Sequence, residues 1–581
     1  MKKYIVLLIC AAGLLFSSCS QDRLDIPQKG VIPMESFYIT DEDAESAATA
    51  MYARLLVQLG TVSVRGTMIY TPWVFTFNLP GDDLYAACKE YGNNDFEAAV
   101  NEFRYDASND IISSCYRNLY LANHRCNLIT DHFEYGDSAI KDRVISEARV
   151  LRAWIHMTLA IGWNNPPLVD HVLEGGDKPS NYEGGQKGLL EWCAKECEEA
   201  APYMRKRNGA ADGEAAVVAT QGFAYAVAGK SHMFAGNYDQ ALTDLKKVID
   251  SGSYSLVPGT EYKNMFHIEG DGNAEKIFEL SVVENANVSN GTQRFRSIWQ
   301  AANMWCWRGD RFAGLPTEVG MRFNGWGGLG VGYDFAQKFI AHDGDSYRRK
   351  ATMVSYDEII TELHYTNDVT YNEDGSVKHV MTTEEKMKDP TRGLKDIRGL
   401  YGNCEYLQMK RLTSAEDVEG HSIWPAQNFL IMRYAEVLLM YAECCVQTGK
   451  EMDKGLQVIR QIQERAGIPA ENYATQLTLD VVKNEKMFEL WCEGCRFADC
   501  VRWGDTAGME AAGGMIPTLY DHINDPDAST KTDYHSWYLQ FRNYNQETGK
   551  RAGFQKGKHE FFPFPDLETS INPNIVQNPG W

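Results

Sequence analysis

The sequence predicts a mostly α fold in which helical repeats support an irregular, loop-rich face with few short strands. Two observations carry that reading. Segments with small and apolar residues at spacings of three and four recur along the chain, closed by glycine, asparagine or proline. Between them lie long stretches rich in Gly, Trp, Asn and Arg that lack a helical period. Composition supplies the core: 44% of the 581 residues are hydrophobic and 12% aromatic, which excludes a disordered chain. The 57 Lys+Arg against 79 Asp+Glu leave a formal charge of −22, which argues against a nucleic-acid partner.

From the N-terminus, Met1-Lys2-Lys3, the apolar run Tyr4 to Phe16 and Ser17-Ser18-Cys19 follow the order of a secretory signal. The apolar run is shorter than the ~20 residues that span a bilayer. Small residues directly before a cysteine match a bacterial lipobox. Residues 1–18 therefore read as a lipoprotein signal peptide, and Cys19 as the acylated anchor of the mature chain. Each buried acyl CH₂ contributes ~0.8 kcal/mol, so two or three chains hold a protein on a membrane. Residues 19–30, polar and interrupted by Pro27, suit a tether, and residues 31–581 read as a single domain.

Helical repeats are expected at about 40–60, 110–162, 215–252 and 428–467. Ala44 to Leu59 ends at Gly60, and Asp110 to Phe133 is followed by Ile140 to Ile161. The latter stops at Gly162 and Asn164-Asn165-Pro166-Pro167. Thr220 to Phe234, the turn Gly236-Asn237-Tyr238 and Asp239 to Asp250 form one helix-turn-helix unit. Leu430 to Thr448, Gly449-Lys450 and Met452 to Ala466 form another. Ala224, Ala228, Ala235, Ala241, Ala435, Ala442 and Gly455 fall where helices cross, in the manner of a tetratricopeptide-like repeat of about 34 residues. Such pairs bury their apolar faces only by stacking.

Glu275 to Val283 alternates like a strand. Irregular segments are expected at about 67–105, 285–427 and 508–570, and the Pro-rich end around Phe561 to Pro565 excludes a long helix. Of the 14 cysteines, Cys193 and Cys197 share a helix face and Cys444 and Cys445 are adjacent. Cys492-Glu493-Gly494-Cys495 has C-x-x-C form but lacks the second pair of a zinc site, so these read as structural thiols. The acidic turns at His342-Asp343-Gly344-Asp345-Ser346 and Asn372-Glu373-Asp374-Gly375 complete no calcium loop and read as ordinary turns. No metal and no cofactor are expected.

Several segments together resemble the SusD/RagB family of Bacteroidetes surface lipoproteins. They are the lipobox ending in Cys19, Glu147-Ala148-Arg149-Val150-Leu151-Arg152-Ala153-Trp154, and Gly236-Asn237-Tyr238-Asp239-Gln240-Ala241 with Val248 to Tyr254. Met432 to Glu443, Glu489 to Gly504 and the closing Ile571 to Trp581 complete the series in the family's order. The resemblance implies four tetratricopeptide-like units beneath a ligand-binding face. It also implies a cell-surface, outer-membrane, lipid-anchored protein that captures oligosaccharide for a SusC-like TonB-dependent transporter, without being an enzyme. The chain departs from the family pattern at Cys492, Cys495 and Cys500, where cysteine serves as a small apolar residue.

Read as one helix, Glu489, Glu493, Arg496 and Asp499 form an ion-pair ladder rather than a catalytic group, with Arg502 and Trp503 packing at its end. A sugar site needs an aromatic plane with amide, carboxylate or guanidinium partners. Two regions offer these. One holds Tyr70, Trp73, Asp82, Asp83, Tyr85, Tyr91, Asn93 and Asn94, and the other Trp299, Trp305, Trp307, Arg308 and Trp326. Trp154, Trp192 and Trp491 sit in helical periods and are expected in the core. A glycoside hydrolase using Asp82 and Asp83, or a scaffold that docks peptide or protein, are the alternatives.

Overall fold

The computed structural model describes residues 36–60, 62–64, 67–69, 71–86, 95–282, 329–355, 358, 369–380, 406–410, 427–512, 515–519, 539–543 and 553–581. Its frame is a stack of antiparallel helices. These are α1 (Asp41–Leu59), α2 (Asp110–His132), α3 (Ala139–Trp163), α4 (Gly185–Ala200), α5 (Gln221–Phe234) and α6 (Tyr238–Asp250). After α7 (Tyr333–Asp343) come α8 (Tyr434–Thr448), α9 (Met452–Ala466), α10 (Leu479–Glu489) and α11 (Arg496–Trp503).

Each of the first five helices packs on the next of the six in chain order, α6 packs on α8, and α8 on both α9 and α10. The helix starts are written locally. Thr40 and Asp43 form a reciprocal capping box on α1, and Asn109, Ser138 and Thr220 cap α2, α3 and α5 through their side chains. Ala224, Ala228, Ala241, Ala435 and Ala442 are fully buried at the crossings. A Cβ on Gly229 would lie 2.6 Å from Leu245 Cγ, and one on Gly455 3.0 Å from Cys445 Cβ, so these helices meet almost backbone to side chain.

The expected helix from Leu430 begins instead as a strand. Phe429–Arg433 pairs antiparallel with Lys276–Leu280, and α8 starts only at Tyr434. Both strands are buried on both faces, so Lys276, Glu279 and Arg433 lie inside the protein, and Lys276 Nζ stands 3.2 Å from Glu279 Oε2. Helix periodicity could not separate this short apolar run from the helix that follows it.

The single helix expected from Glu489 to Trp503 is also divided. Cys492 (φ 58°) and Gly494 (φ 81°) take left-handed backbone between α10 and α11. The six residues 490–495 between the two helices reset the faces, so the expected ladder of neighbours does not form.

Two short helices, Pro72–Asn78 and Asp95–Asn101, interrupt the expected irregular zone at 67–105. The zones at 285–427 and 508–570 contain α7 and antiparallel pairs of short strands, among them Met353–Ser355 with Tyr406–Gln408 and Met515–Leu519 with Leu539–Asn543. The acidic turns behave as ordinary ones: Asp343 holds Ser346 and Arg348, and Asp374 accepts from Ser376 in the turn joining Val369–Tyr371 to Val377–Val380. The nine cysteines among the described residues are buried, in keeping with structural thiols. None of the described helices is long and apolar enough to cross a membrane.

Candidate functional site

The helix Pro72–Asn78 starts abruptly, with Thr71 in left-handed backbone (φ 32°) and Pro72 at its first turn. This turns Trp73 inward. Its ring centroid lies 6.1 Å from that of Trp154 and 6.0 Å from that of Phe429. Trp73 borders a cavity of about 40 Å³ shared with Lys230, Glu436, Lys486, Glu493 and Asp499. That volume admits a few waters, whereas ligand pockets run to roughly 300–1,000 Å³. Trp73 is therefore a half-buried ring packed against the core with one edge on a small chamber, not the openly exposed sugar platform expected of it. Trp154 and Trp491 are core residues as expected, and Trp192 is half-buried against the same core.

The paired aspartates have structural positions as well. Asp82 is held by Arg496 through Nε (2.6 Å) and Nη2 (2.9 Å), which replaces the expected Arg496–Asp499 contact. Asp83 is 2% exposed, and its backbone oxygen accepts from Trp491 Nε1 and from Gly332 N. Burial, reinforced by Asp82 and opposed by Arg496, pushes its carboxyl up to about 7. A buried carboxyl and an ion-paired one do not present the two solvent-facing groups that the hydrolase alternative requires.

These aspartates lead into a ribbon that organises the candidate face. Leu84–Ala86 pairs antiparallel with Leu329–Val331, and Ala86 is the register partner of Leu329. Tyr85 pairs through its backbone with Gly330. Residues 87–94 follow this ribbon and residues 283–328 precede it, so the two candidate regions adjoin the same pair of strands. Tyr70, Tyr91, Asn93, Asn94, Trp299, Trp305, Trp307, Arg308 and Trp326 lie outside the described residues, as does Cys19.

The interior also holds a buried ionic network that the sequence reading missed. Arg433 donates to Glu275 Oε1 (2.7 Å), Glu489 Oε1 (2.6 Å) and both oxygens of Glu493 (2.7 Å each). Arg465 joins Glu275 and Glu489, and Arg348 joins Asp343, Glu485 and Glu489. Burial opposes the charge on Glu489, but Arg465, Arg433 and Arg348 outweigh it and hold the carboxyl well below the usual range. Burial likewise opposes the charge on Glu493, which Arg433 and Lys410 hold at about 2. Arg502 binds both oxygens of Glu443, and Trp503 Nε1 donates to the same carboxylate, so both fasten α11 to α8. Each of these carboxylates is committed to internal cations. The available signal was charge inside apolar runs, as at Arg433 after Phe429-Leu430-Ile431-Met432.

A stack of tetratricopeptide-like helix pairs with a short paired ribbon defines a helical-repeat scaffold. The SusD family model matches residues 274–581, more than half of the chain. The chain belongs to the SusD family. A SusD-like protein of Bacteroides ovatus is 22% identical over 520 residues, covering 86% of this chain and 82% of its own. Among solved structures, a laminarin-binding SusD-like protein has a TM-score of 0.66 at 20% identity, covering 93% of this chain and 99% of its own. Surface glycan-binding protein A from Bacteroides uniformis has a TM-score of 0.64 at 18% identity, with the same coverage.

Proposed function

We propose that this protein is a non-enzymatic, surface-exposed glycan-binding lipoprotein that captures oligosaccharide and delivers it to a SusC-like TonB-dependent transporter of the outer membrane. The observation that carries it is membership of the SusD family together with full-length likeness to structures named for laminarin and surface-glycan binding. The lipid on Cys19 tethers the protein, residues 19–30 set its reach, and ligand contacts bias a lid-like closure over the transporter. Trp299, Trp305, Trp307 and Trp326 supply stacking planes, with Arg308, Tyr70, Tyr85, Tyr91, Asn93 and Asn94 as polar partners. The ribbon joining Ala86 to Leu329 supports this grouping, because it ties both regions to one place on the scaffold.

The test is native affinity electrophoresis of the chain beginning after Cys19, in gels cast with laminarin and with a panel of plant, host and microbial polysaccharides. Retardation by a glycan that is recovered uncut is the expected result. Shortened glycan would establish an enzyme instead, and no retardation by any glycan would favour the peptide- or protein-docking scaffold. Trp305→Ala and Trp307→Ala are expected to weaken retardation at least tenfold, since each stacked ring contributes about 1–2 kcal/mol.

A further inference from the structure

Away from the ribbon, three successive helices of the stack bring Glu198 of α4, His232 of α5 and Asp244 of α6 together. His232 Nε2 lies 3.2 Å from Glu198 Oε1 and 3.9 Å from Asp244 Oδ2, and one ligand atom from each residue lies within 4.8 Å of the others. Asp244 is 1% exposed and His232 8%, while the Glu198 side chain is 40% exposed and opens the group to solvent.

The hydrogen bonding of this group is incomplete. Lys247 Nζ donates to Asp244 Oδ1 at 2.8 Å, but Asp244 Oδ2 is buried without a hydrogen-bond partner. With both ionised, Glu198 and Asp244 offer only acceptors to one another, and one Nε2 proton of His232 serves a single oxygen, that of Glu198 at 3.2 Å. A buried lone pair left in this way carries the full desolvation penalty of its group. What is missing between the three residues is positive charge.

We infer that Glu198, His232 and Asp244 bind a divalent transition ion of the zinc class through His232 Nε2, one Glu198 oxygen and Asp244 Oδ2. One imidazole and two carboxylates are a suitable donor set, and water reaches the remaining position from the Glu198 side. Metal–ligand bonds of about 2.0–2.2 Å put tetrahedral ligand atoms about 3.3–3.6 Å apart. The His232 separations of 3.2 and 3.9 Å bracket that range, and all three ligand atoms already lie within 4.8 Å of one another. Lys247 stays on the far oxygen of Asp244 and orients that carboxylate. Together with Glu198 and Asp244 it carries a charge of −1, which a divalent ion turns to +1. Cys197 is adjacent but fully buried, and among the described residues the ligand atoms that lie within 4.8 Å of one another come from Glu198, His232 and Asp244 alone. The bound ion pins α4, α5 and α6 to one another. No spacing in the sequence announces it, because each helix contributes one ligand.

The experiment strips the full chain with a chelator, then titrates it with Zn²⁺ by calorimetry and with Co²⁺ by visible absorption. One equivalent of zinc, tetrahedral cobalt bands and a zinc-dependent rise in melting temperature are expected. His232→Asn, Asp244→Asn and Glu198→Gln are each expected to weaken binding at least about tenfold. Glu198→Gln, on the exposed side, keeps the metal-free melting temperature, so its loss of binding is not loss of fold. No zinc binding, or the same stoichiometry and affinity in wild type and all three variants, would overturn the assignment.

Discussion

Two buried titratable groups pull stability in opposite directions with pH. His156 on α3 donates from Nδ1 to Arg152 O (2.9 Å) and accepts from Val169 N at Nε2 (3.1 Å), so both nitrogens are used in the neutral ring. Burial lowers its pKa to about 4. Below pH 6.5 the unfolded chain takes up a proton that the folded chain refuses, so the stability held above that pH is lost as the medium is acidified. The loss reaches about 3 kcal/mol near pH 4. Urea unfolding of wild type and His156→Asn is expected to show a gap that narrows by that amount between pH 7 and pH 4. Asp83 behaves oppositely, because its folded carboxyl keeps its proton up to about pH 7. Stability present below the usual carboxylate range is lost as pH rises through 7, by up to about 4 kcal/mol. Asp83→Asn is therefore expected to be more stable than wild type at pH 8 and to lose that advantage at pH 4. An equal effect at both pH values would refute the buried-acid account.

Helices were legible wherever a cap and an apolar stripe agreed. Thr220 ahead of α5 and Gly467 behind α9 mark ends that the structure reproduces within a residue. Legibility failed where tertiary partners decide. Phe429–Arg433 is a strand because Lys276–Leu280 lies beside it, and the α10–α11 break follows from left-handed Cys492 and Gly494. Neither the strand partner nor the destination of Arg433 is encoded locally. At this scale Arg433→Ala is expected to cost about 3–5 kcal/mol in chemical denaturation, because it strands Glu275, Glu489 and Glu493 in the interior. Gly229→Ala, by forcing α5 off Leu245, is expected to cost about 1–3 kcal/mol. A neutral result for Gly229→Ala would mean that the α5–α6 crossing relaxes freely.

Across the whole molecule, the described scaffold and the segments proposed for recognition separate along the chain. The stack from α1 to α11 closes through its own core, through the Lys276–Leu280 and Phe429–Arg433 strands and through the Arg433 network, all drawn from described residues. The candidate aromatics were found by composition, yet composition could not show that Trp73 packs half-buried against the core. All of them lie in aperiodic sequence, and burial depends on what packs across them. This separation makes a strong test. Replacing residues 285–327 by a flexible Gly/Ser linker of about 20 residues leaves both flanking strands, Lys276–Leu280 and Leu329–Val331, with their partners. The variant is expected to retain the helical circular dichroism and cooperative melting of the parent while losing retardation in glycan gels. A folded variant that still binds glycan would relocate recognition to the 67–105 or 508–570 segments. A variant that no longer melts cooperatively would mean that the tryptophan-rich segment is part of the scaffold itself, and that the division of labour argued from the ribbon is wrong.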